Sequence, residues 1–301
     1  MKAFGKNLWK NRAYVLMALP VVLILIFFSY VPMTGVVLAF KKFDYTRGLW
    51  KSPWCGWDNF KFLISSKKLF LNMTRNTLFY YVIFTALGTF LNIVLAIAID
   101  QCVFKKMSKA MQSIMIIPVF ISYAAVQFVV FAYLNSSTGM INEVFGLSTK
   151  WYMESKYWPV ILTIVKMWNS VGYGSILYMS VLSGIDQEQY EAAQIDGASK
   201  WKQIKYITIP SLIPMATIML LLSVGSIMHS DTGLFYQVTR NASVLQDTTQ
   251  VIDSYVLNSI FTSSNFGFTA AASLFQSVVG TVLILVSNHA VRKLAPENAL
   301  F

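Results

Sequence analysis

The chain has 301 residues, 56% of them hydrophobic and only 12% charged, with a formal net charge of +11. A soluble domain carries about 25% charged residues, so the composition excludes an ordinary soluble fold and places the chain in a bilayer. The net charge invites a nucleic-acid partner, but the cations are scattered between apolar runs rather than gathered on one face, which argues against one.

A spanning helix needs about 20 mostly apolar residues, because the hydrocarbon is about 30 Å thick. Six segments qualify, approximately 14–40, 76–99, 110–134, 158–182, 211–229 and 268–290. Backbone polar groups cannot go unpaired in lipid, so these runs are expected to be helices, and they are too long for barrel strands. The expected fold class is therefore all-α integral membrane, with six transmembrane helices and no soluble catalytic domain.

In chain order, residues 1–13 form a basic N-terminal segment with Lys2, Lys6, Lys10 and Arg12. No small-residue cleavage site follows, and apolar character continues through Pro32 to Phe40, so this is read as a retained first helix rather than a signal peptide. "TRGLWKSPWCGW" (46–57) carries Gly and Pro breakers, and its tryptophans suit a headgroup-level belt. "WDNFKFLISSKKLF" (57–70) puts Trp57, Phe60, Leu63 or Ile64, and Lys67 on helical spacing, with Asp58 available as N-cap. It fits an amphipathic helix on the membrane surface and an ordinary solvated loop helix equally well. Cys55 and Cys102 match no metal or redox spacing and fall in loops on opposite faces, so they are expected to be free thiols.

With the N-terminus inside, the inner segments hold twelve Lys and Arg and the outer ones eleven, eight of these in 41–75. The positive-inside rule thus leans towards that orientation only through charge density. Lys166 lies within the fourth span, roughly 12 Å along the helix from Trp158. It could line a polar path, but snorkelling to the outer interface is the preferred reading.

Catalytic chemistry is not in evidence. There is no G-x-x-x-x-G-K-[ST] phosphate loop, and "GASK" (197–200) lacks the second Gly and the Lys–Ser/Thr pair. His229 and His289 are far apart and unsuited to zinc. "GYGS" (172–175) reads as close helix packing through small residues rather than a nucleophile elbow.

Between the fourth and fifth spans lies "SGIDQEQYEAAQIDGASKWKQIKYITIP" (183–210). Asp186 or Ser183 can cap a short helix running to about Ile195, and Asp196–Gly197 ends it in the left-handed conformation. Ser199 can cap a second helix on which Trp201, Ile204 and Ile207 or Thr208 share a face, with Pro210 admitting the chain to the next span. A connection between antiparallel helices needs only about 2–8 residues, so this segment of 28 is too long for a mere connector. The alternative to a docking element is a solvated link.

"EAAQIDGA" followed by "ITIP" at this spacing resembles the EAA loop of permease subunits in binding-protein-dependent ABC importers. The matching residues are Glu191, Ala192, Ala193, Asp196, Gly197, Ala198, Ile207 and Pro210. "VPMTGVVLAFKKFD" (31–44), "IIPVFIS" (116–122), "GIDQEQYEAAQIDGA" (184–198) and "PENALF" (296–301) resemble the carbohydrate branch, so the likeness covers nearly the whole chain. Where related permeases often carry a Trp–Lys–Glu-like run, this chain departs with "KMWNSVGYGS" (166–175).

The resemblance implies a MetI-like permease fold that imports an oligosaccharide, with residues 183–210 as the loop coupling it to an ATPase. The implied partners are a second, different permease subunit, two ATPase subunits or domains, an extracellular solute-binding protein and membrane lipid. No cofactor is expected on this chain; ATP and Mg belong to the ATPase. The implied location is a bacterial inner membrane, crossed several times, with both termini, including the 291–301 tail, in the cytoplasm. Sugars are held by aromatic stacking and by hydrogen bonds to hydroxyls, which makes Tyr123, Gln127, Trp168, Asn169, Tyr173 and Ser223 candidates for the path. The rival is a secondary transporter or channel for a small polar solute. A secondary transporter would be expected to carry intramembrane carboxylates, and none lies inside the six segments; Asp100 is at an end.

Overall fold

The structure, a computed structural model, describes residues 11–61, 67–263 and 265–294. They fall into two compact units, one of residues 11–61 with 259–274 and one of residues 67–258 with 275–294. Among the described residues there is no β-strand, only an isolated antiparallel bridge between Lys41 and Trp54. Five helices are long and apolar enough to cross a membrane, and a sixth crossing is possible if one sharply bent pair is a single span.

The first unit opens with α1, Arg12–Phe40, in which no residue from Arg12 to Met33 is buried. An apolar helix without a buried stripe is suited to lipid rather than to a core. It is not uniform. A wide π turn, Ile26–Tyr30, precedes Pro32, and a 3-10 stretch, Thr34–Phe40, ends it. Proline supplies no N–H, and its ring crowds the carbonyl four residues back; widening the turn ahead of it relieves that contact.

Asn59 closes this helix, its Nδ2 donating to the carbonyls of Leu38, Ala39 and Lys41 at 3.2, 3.0 and 3.0 Å. These belong to the end of the helix and the residue after it, where carbonyls run short of helical partners. Asp58 is not the expected N-cap. It is the first residue of a 3-10 turn, Asp58–Phe60, and its carboxylate holds Lys61 Nζ at 2.6 Å. Of the proposed surface helix 57–70, residues 62–66 lie outside the described residues, and 67–70 belong to the next long helix.

The second unit begins with α2, Lys67–Asp100, whose 34 residues start well before the apolar run at 76–99. Within the extension, Asn72 donates to Asp247 O at 3.1 Å. Asn76 donates to Asp247 O and Gln250 O at 3.1 Å each, and Tyr80 to Thr248 O at 2.8 Å, so distant loop carbonyls anchor this end of the helix. Then follow α3, Lys105–Phe120, α4, Tyr123–Leu134, and α5, Trp158–Leu182. Next come α6, Gln187–Ile195, α7, Lys200–Val224, α8, Ile252–Ser263, and α9, Phe266–Leu294. The last two helices have their facing ends in the first unit.

The expected single helix 110–134 is replaced by α3 and α4, which meet at 97°. A 3-10 turn at Ile117–Phe120 contains Pro118, and Ile121 and Ser122 are extended. The expected start of the fifth span at Pro210 also moves. The helix α7 is continuous from Lys200, passing through a π turn, Ile204–Thr208, that again precedes a proline.

α5 is the axis of the second unit. Gly172 brings it so close to α3 that a Cβ would overlap the Met115 carbonyl, and Gly174 lies against Asn92 of α2. The small-residue reading of "GYGS" therefore holds. One core, around the fully buried Trp158 and Leu162, joins α2, α4 and α5 to residues 234–251. A second, of Ala96, Tyr178, Leu182 and Leu212, joins α2, α5 and α7 at the root of the 183–210 loop.

Candidate functional site

The 183–210 loop folds as a compact hairpin of helices. Asp186 is the N-cap of α6, its Oδ1 accepting the Glu188 N–H at 3.0 Å. At the other end Gly197 has φ +76°, Ala198 N–H bonds to Ala193 O at 2.8 Å, and Gly197 N–H to Gln194 O at 3.1 Å. These paired bonds are a Schellman ending, which satisfies two carbonyls the helix would otherwise leave open. No atom lies within 4 Å of where a Gly197 Cβ would stand. The glycine is needed for its backbone angle alone.

Ser199 caps the next helix through a long 3.5 Å bond from Lys202 N–H. The two arms are tied by Tyr190 and Thr208, whose hydroxyls lie 2.9 Å apart with Thr208 fully buried. Gln203, also buried, reaches back to Ala198 O at 3.4 Å. Along the expected common face of Trp201, Ile204 and Ile207 or Thr208, burial increases towards the π turn, Thr208 being fully buried. Ile204 and Ile207 are half-buried, while Trp201 is 72% exposed. Glu191, Ala192, Asp196, Gly197 and Pro210 are exposed too, and Ala193 and Ala198 are half-buried. Ile195, which the pattern did not single out, is 87% exposed. An indole and an isoleucine are thus exposed on a hydrogen-bonded scaffold, without a packing partner among the described residues.

The second polar region lies at the α3–α4 break. Asn169 of α5 donates to Pro118 O at 2.8 Å, and its Oδ1 accepts from the Tyr123 hydroxyl at 3.2 Å. In hydrocarbon, irregular backbone is tolerated only where protein supplies the missing partners, and Asn169 supplies one at the break. Lys166 has a partner that its position in the sequence did not reveal. Its Nζ lies 3.0 Å from Asp231 Oδ2, both side chains being about a quarter to a third exposed (25% and 31%). Asp231 was missed because it lies 65 residues away in a loop whose few charges carry no pattern.

The six path candidates separate. Tyr123 and Asn169 are joined to each other, and Asn169 is only 6% exposed. Gln127 bonds locally to Ala124 O, and Ser223 lies 2.9 Å from the Tyr81 hydroxyl. Trp168 and Tyr173 stay open, at 46% and 57% exposure. Beyond the end of α7, His229 and Asp253 are 3.4 Å apart, and the carboxylate also accepts the Ser230 N–H at 2.6 Å. That hydrogen-bonded carboxylate raises the His229 pKa above its ordinary value. Among the described residues no group of His, Cys, Asp and Glu could hold a metal ion.

Residues 88–296 match the family model described as "Binding-protein-dependent transport system inner membrane component". Protein LplB of Bacillus subtilis (strain 168) is 28% identical over 99% of this chain and 93% of its own length. The polygalacturonan/rhamnogalacturonan transport system permease protein YteP of the same organism is 26% identical, over 97% and 91%. Among solved structures, a chain of a bacterial ABC transporter involved in the import of the acidic polysaccharide alginate superposes with a TM-score of 0.87. It is 27% identical, and the match covers 97% of this chain and 99% of that one. A second structure of a bacterial alginate ABC transporter, in complex with an alginate pentasaccharide-bound periplasmic protein, gives 0.85 at 28% identity, over 96% and 97%.

Proposed function

The chain belongs to the family of binding-protein-dependent transport system inner membrane components, and from that premise we propose that it imports a saccharide as the permease subunit of an ATP-driven transporter in a bacterial inner membrane. The observation that carries the coupling role is the outward-facing surface of the 183–210 hairpin. Ile195 and Trp201 are presented on a scaffold fixed by the Schellman ending and the Tyr190–Thr208 tie. Such rigid, exposed anchors are what a docking partner needs. The proposed partner is a cytoplasmic ATPase carrying ATP and Mg, and this orientation puts both termini in the cytoplasm. A second, different permease subunit and an extracellular binding protein complete the proposed assembly.

The hairpin is well made to transmit motion. α7 is unbroken from Lys200 to Val224, so a displacement at Trp201 is carried into the bundle along one helix. Saccharide as cargo is supported by what the relatives are named for and by the open aromatic rings of Trp168 and Tyr173. The test is co-purification followed by uptake in proteoliposomes. The wild-type chain should bring down an ATPase and support ATP-dependent saccharide uptake, and Gly197→Val with Trp201→Ala should lose the ATPase. Retention of the ATPase by that double variant would overturn the assignment of the hairpin.

A further inference from the structure

Residues 41–75 hold eight Lys and Arg against two Asp, on what the proposed topology makes the outer side. The positive-inside rule disfavours such density there, so insertion does not account for it. Several of these cations are occupied within the fold. Lys41 is only 4% exposed and donates to the carbonyls of Leu49 and Trp50 at 3.2 and 2.7 Å. Arg47 pairs with Asp44 at 3.3 Å and Lys61 with Asp58 at 2.6 Å.

Lys42 is different. The backbone at Lys41 is extended (φ −121°, ψ 146°), and successive side chains of an extended segment point to opposite sides. With Lys41 turned inward, Lys42 is exposed, and among the described residues its ammonium has no ion pair or hydrogen-bond partner. It lines a cavity of about 470 Å³ together with Phe43, Asp58, Asn59, Asn265 and Phe266, all in the first unit. That size falls within the range of about 300–1,000 Å³ usual for small-ligand pockets.

The lining is of mixed character. Phe43 and Phe266, 5.4 Å apart edge to face, form its apolar wall, and Tyr45, outside the lining, braces both rings at 5.1 and 5.7 Å. The position of Asn59 is locked by its three carbonyl partners, and Asn265 by capping the Phe268 N–H at 3.0 Å. Gly267 allows this approach, since a Cβ there would collide with the Asn59 amide. Asp58 is already neutralised by Lys61, so the pocket is left with one uncompensated positive charge.

We infer that this pocket is an outer subsite for a uronate-bearing saccharide: the pyranose C–H face meets the aromatic wall, the amides meet hydroxyls, and the sugar carboxylate meets Lys42. The inference rests on the importer reading and narrows its cargo to acidic saccharides, which the surplus cations of 41–75 would also draw in by long-range attraction.

The test uses the complete importer in nanodiscs without its binding protein, with trigalacturonate and maltotriose as probes. Trigalacturonate should bind roughly fivefold more tightly than maltotriose, as one partly exposed ion pair allows, and the difference should shrink with added salt. Lys42→Gln should remove the preference and Lys42→Arg should keep it; Lys42 is exposed, so neither variant should unfold the chain. Equal binding of the two probes, or a preference unchanged in Lys42→Gln, would overturn the subsite. Uptake with the binding protein present separates the two readings. Import of a neutral saccharide with no trigalacturonate binding would sink the acidic subsite and leave the importer standing, whereas failure to recover any ATPase would sink the importer.

Discussion

Asn169 donates its side-chain amide to the carbonyl oxygen of Pro118 at 2.8 Å, joining α5 to the point where α3 gives way to α4. With Tyr123 on its other side, this residue holds the break together. Asn169→Leu is expected to destabilise the chain by about 1–3 kcal/mol, because it strands a half-buried carbonyl and a hydroxyl. Tyr173→Ala should leave the thermal midpoint unchanged and alter only the KM for uptake. Thermal unfolding of the detergent-solubilised importer distinguishes the two.

The Lys166–Asp231 pair makes a different forecast. Lys166→Met alone leaves Asp231 without its cation and should cost about 1–3 kcal/mol, whereas Lys166→Met with Asp231→Asn should recover most of the loss. Yield and thermal midpoint of both variants give the coupling. A double variant no more stable than the single one would mean that the pair does not act as a unit.

Gly197 is required for its angle and not for space. Asparagine tolerates the left-handed region and a β-branched residue does not. Gly197→Asn should therefore keep ATP hydrolysis coupled to uptake, while Gly197→Val, straining the turn by about 1–2 kcal/mol or more, should uncouple them. Parallel hydrolysis and uptake assays decide the matter. Equal behaviour of the two variants would show that the angle is not what matters.

Trp201, at 72% exposure, contributes little to this chain's own core. Trp201→Ala should keep the fold and weaken ATPase binding by about 2 kcal/mol, or roughly 30-fold. Titration of the purified ATPase against the variant in nanodiscs measures this.

His229 carries a pH dependence of known sign. Its pKa is raised above 6.5 by the bond to Asp253, so the folded state holds the proton more tightly than the unfolded chain does. The stabilisation is fully present below pH 6.5 and is lost as pH rises through the raised value. Since the ring is 43% exposed, solvent screening limits the effect to about half a kcal/mol. The difference in thermal midpoint between wild type and His229→Gln should therefore be larger at pH 6 than at pH 9.

The hairpin was legible because its signals are local. Asp186 and Ser199 as caps, Gly197 as the left-handed turn and the end near Ile195 all follow from bonds spanning a few residues. Its outward face was not legible, because the exposure of Ile195 and Trp201 and the burial of Gln203 and Thr208 depend on how the two arms pack on each other. The substrate path was harder still. Asn169 and Tyr173 are four residues apart and alike in polarity, yet one is buried and bonded while the other is open.

The same division runs through the whole chain. Apolar length marked the helices that are long and apolar enough to cross a membrane, because burial in lipid depends on composition over about 20 residues. It did not register the 97° break within 110–134, since hydropathy averages over a segment and carries no direction. Whether a helix can break in hydrocarbon depends on who receives the freed backbone groups, and Asn169, 51 residues from Pro118, is a partner only once α5 has packed. Lys166 and Asp231 likewise meet across 65 residues. Local spacing shows that a buried polar group needs a partner, and only tertiary packing decides which one it finds.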